Sequence, residues 1–155
     1  MRDKRFIAEH RGGSLKIEQH RQLIIWACKC AEHVFPLLSE ELDERLKSAL
    51  FMAKEWEKNK ATVGDARTAS INSIAVASES SDPVTIAIAR AIGHAVATAH
   101  MADHSLGAAL YALKAVRAAG RSTDAEKEWQ NEQLPPEIAE LILSSRTKKD
   151  AIFKV

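Results

Sequence analysis

The chain has 155 residues, 46% of them hydrophobic, with 22 Lys/Arg against 21 Asp/Glu and a formal net charge of +1. This length suits one domain, read here as residues 1–155, able to bury roughly 68–70% of the surface its unfolded chain exposes. The charge excludes a whole-molecule field directed at nucleic acid or at an anionic membrane.

The opening MRDKRF lacks the apolar segment of a secretory signal. No apolar run approaches the ~18 residues that span a bilayer. Cys28 and Cys30 are too close in sequence for an easy bridge and fit a reducing cytoplasm, so the expected localisation is cytoplasmic.

Residues 1–13 read as an N-terminal arm, basic and solvated, with Arg2, Lys4, Arg5 and Arg11 around Phe6. Ser14 or Lys16 opens a first helix whose stripe runs Leu23, Trp26 or Ala27, Cys30 and Val34, ending near Pro36. Ser39 with Glu40 and Glu41 predicts the next start, followed by Leu42, Leu46, Leu50, Ala53 and Trp56 at helical spacing. Thr62-Val63-Gly64-Asp65 resembles a capping box and opens a helix carrying Ile71, Ile74, Ala75 and Ser78 on one face.

Asp82-Pro83 is a strong start for a helix running through Ile86, Arg90 and His94 to about Met101 or Asp103. Ser105 begins another, with Leu106, Leu110, Leu113 and Val116, closed by Gly120. Within residues 121–155, Thr123 to Glu126 reads as a capping box, and Pro135-Pro136-Glu137 starts a last helix with Ile138, Leu141 and Ile142 inward. No stretch shows the alternation of a strand.

Residues 61–121 contain 18 alanines and nine charged residues. Ala87, Ala91, Ala95, Thr98 and Ala102 form a small-residue face, and Ala108, Ala112, Ala115 and Ala119 form another. Such faces let helix axes approach the lower end of the ~8–10 Å range. The expected fold is therefore an all-α, single-domain bundle of about six or seven helices with a tightly packed Ala-rich centre.

Half of the six histidines lie in Gly93 to His104, GHAVATAHMADH. On one continuing helix His100 and His104 share a face, ~40° apart, a spacing able to chelate a metal. His94 lies ~80° from His104 and ~120° from His100, and the glutamate of an H-E-x-x-H motif is absent, which disfavours a three-histidine site. The competing reading makes these rings hydrogen-bonders at a helix crossing, with His104 at a helix C-terminus, or lining for a cleft that meets a partner.

Ser70, Ser73 and Ser78 have no nucleophile elbow, and the cysteines read as packing residues. Phosphate-cradling glycine motifs are absent. Trp26, Trp56 and Trp129 read as core. The candidate binding residues are His10, Arg11, His94, His100 and His104, with no catalytic residue, no metal ligand and no cofactor assigned.

The strings RDKRFIAEHRGGSL, EQHRQLIIWA and GHAVATAHMADH together resemble the all-α immunity proteins of bacterial polymorphic toxin systems, specifically the fifth immunity family. The resemblance covers about residues 2–119 and rests on Asp3, Phe6, Ile7, Arg11, Gly12, Gly13, His20, Trp26, Ala27, Trp56, Gly93, His94, Ala99, His100, Asp103 and His104. Two departures stand out: Leu46 replaces an expected proline, and Lys58-Asn59-Lys60 replaces an expected glycine turn.

The resemblance implies a cytoplasmic protein that binds a cognate toxin and has no chemistry of its own. Homo-oligomers remain open; a membrane partner is not expected, and nucleic acid is disfavoured. The alternative is a small metal-dependent hydrolase using His94, His100 and His104 with Asp103 or His10.

Overall fold

The computed structural model describes residues 3–153, with side chains through residue 148; Arg2 of the basic lead-in lies outside the described residues. Seven α-helices follow one another: α1 (Ile17–His33), α2 (Glu44–Glu57), α3 (Val63–Glu79), α4 (Pro83–Ala97), α5 (His104–Ala118), α6 (Thr123–Glu132) and α7 (Pro136–Phe153). Among the described residues no strand forms, so the chain is an all-α bundle. No described helix is long and apolar enough to cross a membrane.

α1 is the axis. It touches α2, α4, α5 and α7, and buries the expected stripe of Leu23, Trp26, Ala27, Cys30 and Val34. Cys28 is buried as well, because α1 has neighbours on opposite sides. Burial pushes the Cys28 thiol up to about 12 and Cys30 higher still, which leaves both as neutral packing groups.

α4 and α5 make the most extensive contact of the bundle. Ala87, Ala91, Ala95, Thr98 and Ala102 are buried on one side, and Ala108, Ala112 and Ala115 on the other. The Ala-rich centre is therefore where the sequence places it, except that Thr98 and Ala102 lie beyond the end of α4 and Ala119 is half-buried beyond the end of α5.

Several starts differ from expectation. α2 begins four residues after Ser39–Glu40, because Asp43 caps it by accepting the Arg45 amide at 2.8 Å. Arg45 holds Asp43 through its guanidinium and forks onto Glu79 at 3.0 and 2.6 Å, tying the start of α2 to the end of α3. α6 is capped by Ser122, one residue before Thr123. The capping box at Thr62 and Asp65 forms as read, with both reciprocal bonds at 3.0 Å.

The face of α3 is inverted. Ser70 Oγ and Ser73 Oγ point inward and donate to the Gly93 and Ala89 carbonyls at 3.0 and 2.8 Å. Their small size lets α3 lie close on α4, and the hydrogen bonds offset the burial of the hydroxyls. Ile71 and Ile74 are thereby turned outward, 63% and 47% exposed.

The arm folds back on the bundle through Phe6 while its described basic residues Lys4, Arg5 and Arg11 stay exposed. Residues 4–6 and 9–11 form 3-10 turns, Phe6 is buried, and Arg5 binds Asp3 and donates to Ser144 Oγ of α7 at 2.9 Å. Ala8 bridges Leu15. Gly12 takes φ +87, and a Cβ on Gly13 would fall inside the Ile7 carbonyl, so the paired glycines are what lets the arm fold back.

Candidate functional site: a histidine ridge beside an N-terminal cleft

The helix expected to run to Met101 or Asp103 stops at Ala97. Residues 98–103 turn through short i to i+3 bonds, including Ala99 N to Val96 O and His104 N to Met101 O. His20 of α1 meets the helix where it stops. Its Nε2–H donates to the Thr98 carbonyl at 2.6 Å, satisfying an acceptor that the ended helix leaves unpaired. Thr98 Oγ1 donates back to the His94 carbonyl at 3.0 Å.

This break rewrites the geometry of the three histidines. His94 remains on α4, but His104 becomes the first residue of α5, so the angles of one straight helix do not apply. The expected placement of His104 at a helix C-terminus is also corrected: it stands at an N-terminus, and His20 supplies the C-terminal contact.

The rings now converge. His94 Nδ1 and His104 Nδ1 lie 3.0 Å apart, so one donates and the other accepts. The His100 and His104 ring centroids are 5.4 Å apart. On the far side His94 stacks on Tyr111 at 5.1 Å. Lys114 Nζ stands 4.7 Å from the Tyr111 centroid, and the Arg90 guanidinium 5.9 Å from it. The ridge therefore runs from imidazoles to an aromatic ring faced by two cations.

Gly107 makes this ridge possible. A Cβ there would sit 2.5 Å from His94 Nδ1 and 2.9 Å from its Cγ, so any side chain would displace the ring.

A cleft of about 360 Å³ opens on the other side of the 98–103 turn. Its walls include His10, Arg11, Ile17, His20, Trp56 and His100, drawn from the arm, α1, the end of α2 and the turn. The His20 ring lies tilted against Trp56 at 4.7 Å. The five predicted residues thus divide between two features: His10 and Arg11 in the cleft, His94 and His104 on the ridge, with His100 bordering both.

The tryptophans also divide. Trp26 is core and donates Nε1–H to the Gln130 carbonyl at 2.8 Å, whereas Trp56 lines the cleft and Trp129 is half-buried, stacked on His33 at 3.5 Å.

Beside the ridge, Ser105 Oγ donates to the Ala102 carbonyl at 2.7 Å. Among the described residues, no three His, Cys, Asp or Glu side chains are arranged to hold a metal ion. What the arrangement offers is hydrogen bonding, ring faces and positive charge on a firm frame.

The sequence reading missed His20, Gly107, Tyr111, Arg90 and Lys114 as contributors. One signal was available: from a helix starting at His104, positions 104, 107, 111 and 114 recur at spacings of 3, 4 and 3 and share a face.

No curated protein and no solved structure matches the chain. A family model does match, over residues 13–137. The match starts later than the resemblance read at residues 2–119, leaving out His10 and Arg11, and it runs further, through α6. It takes in the whole ridge, the turn and His20, and it shows that the chain belongs to the Imm-5 like putative immunity protein family.

Proposed function

We propose that this chain neutralises one cognate bacterial toxin by binding over its working surface, in the cytoplasm and without chemistry of its own. The observation that carries this reading is the family match over residues 13–137. The assigned contact residues are His10, Arg11, His94, His100 and His104, which border a single turn at 98–103.

Stable occlusion requires an interface of roughly 1,200–2,000 Å² in total, much larger than the cleft, so ridge and cleft serve as parts of a broader contact. Rigid supports favour such a role, because side chains already held in place lose less freedom on binding. Acidic stretches offer less: in the segment Glu40 to Glu44, Asp43 is engaged by Arg45, and Glu44 pairs with Lys47 at 3.0 Å.

The test is co-expression with the toxin encoded beside this chain. The expected result is a co-purifying complex and restored growth of a host that the toxin alone arrests. Absence of both would sink the reading.

A further inference from the structure

The inverted α3 raises a question that the ridge helps to answer. Ile71 and Ile74 point to solvent although smaller, more polar side chains are buried behind them. They are not isolated: a Cβ on Gly93 would meet Ile74 Cγ1 at 3.3 Å, so Ile74 lies against α4 where Arg90 and His94 emerge. Across α4 the same surface continues through Tyr111 and Lys114 of α5. Three helices thus present one outer face with an apolar flank and an aromatic, cationic centre.

The charged side chains placed on it, Arg67, Arg90 and Lys114, are cationic. From residue 66 to residue 78 the only charged residue is Arg67, one turn before Ile71 on the same side of α3. From Pro83 to the end of α5 at Ala118 the chain carries Arg90, Lys114 and Arg117 against Asp103 alone. This concentration stands out in a molecule of net charge +1.

Tyrosine and arginine are also the residues most often found to dominate protein interfaces, and both are held in place here by the ring contact with His94 and by the cations over Tyr111. Exposed isoleucines beside them suit a protein surface better than a phosphate backbone.

We propose that the outer face of α3, α4 and α5 receives an acidic protein surface of the toxin, with Arg67, Arg90 and Lys114 meeting carboxylates around Tyr111 and with Ile71 and Ile74 covered at its edge. This assignment rests on the reading of the chain as a toxin blocker and adds the chemistry of the partner. It differs from nucleic-acid mimicry, in which the blocker itself would be acidic.

The experiment measures affinity of the full chain for the toxin encoded beside it. Wild type, R90E/K114E, I71D and K29E are compared by calorimetry at about 50 and 300 mM salt, after circular dichroism has established that each variant is folded. Reversing the two cations should weaken binding by ~100-fold or more, as loss of central interface residues does. I71D should weaken it by ~10-fold, added salt should weaken the wild type, and K29E, on α1, should match the wild type. If R90E/K114E does not fold, R67E and I71D carry the test.

Unchanged affinity in the face variants, beside normal wild-type binding, overturns this assignment and leaves the immunity reading standing. No complex and no growth rescue overturns both. A wild-type dimer dissociated by I71D, or DNA or RNA binding lost in R90E/K114E, gives the face a different occupant and also overturns the assignment.

Discussion

Gly107→Ala separates local helix preference from the packing of the ridge. In the interior of a helix, glycine to alanine normally stabilises by about 1 kcal/mol. Here the new Cβ would stand 2.5 Å from His94 Nδ1, so the imidazole must swing away. That movement forfeits the bond to His104, about 1 kcal/mol, and the ring contact with Tyr111, about 0.5–1.5 kcal/mol. The expected net effect is a loss of about 0.5–1.5 kcal/mol, or a fall in Tm of roughly 1–6 °C for a chain of this size. In a His94→Ala background the obstruction is gone, and the same glycine substitution should raise Tm by about 2–4 °C. The assay is a double-mutant cycle by urea and thermal unfolding, with an expected coupling of ~2 kcal/mol. Equal stabilisation by Gly107→Ala in both backgrounds would refute the account.

Three further outcomes follow from the same geometry. His20→Leu removes the donor to the buried Thr98 carbonyl and should cost about 1–3 kcal/mol in urea unfolding, with His20→Gln recovering part of it; full stability of the leucine variant would count against His20 as the support of that carbonyl. Both thiols titrate higher folded than unfolded, so their contribution is complete below pH 9.0 and declines as pH rises toward 12, by up to about 1.4 kcal/mol per thiol for each pH unit. Unfolding at about pH 8 and 10.5 should show this loss in the wild type and a flatter response in a Cys28→Ala/Cys30→Ala variant. Elemental analysis of chain purified without chelator should find no near-stoichiometric transition metal, and finding one would favour the hydrolase alternative built on His94, His100 and His104.

The helical stripes were legible because a buried side of a helix must repeat every three or four residues, and Leu23 to Val34 and Leu46 to Ala53 do so. The end of α4 was not. Thr98 to Ala102 contains no glycine or proline, and the composition continues that of the helix. The partner of the carbonyl freed at that stop is His20, 78 residues away, which local pattern cannot report. The exposed face of α3 escaped for a related reason: hydrophobicity points Ile71 inward, but the buried side of α3 is made of Ala66, Ser70, Ser73, Val76 and Ala77, with both serines bonded to carbonyls of α4. By contrast the missing glycine after Trp56 proved harmless. Asn59 adopts the left-handed conformation, φ 62, that glycine would have supplied, as asparagine tolerates better than most residues.

The Ala-rich centre and the half-buried ridge are consequences of each other. Alanine buries little area per residue, so α4 and α5 gain cohesion by lying close, and closeness requires that larger groups leave the contact. Arg90 is carried to the exposed side of α4, with His94, Tyr111 and Lys114 half-buried beside it, and on α3 the isoleucines are displaced outward. A tight interior of small residues thus leaves a bulky and cationic exterior held by a frame with little room to relax. A surface of that kind binds by pre-organisation rather than by folding around its partner. Cavity-forming changes in the centre, such as Leu113→Ala, should therefore cost stability, whereas Arg90 or Lys114 reversals should cost affinity at nearly constant Tm. A centre variant that weakened toxin binding while leaving Tm unchanged would break this division.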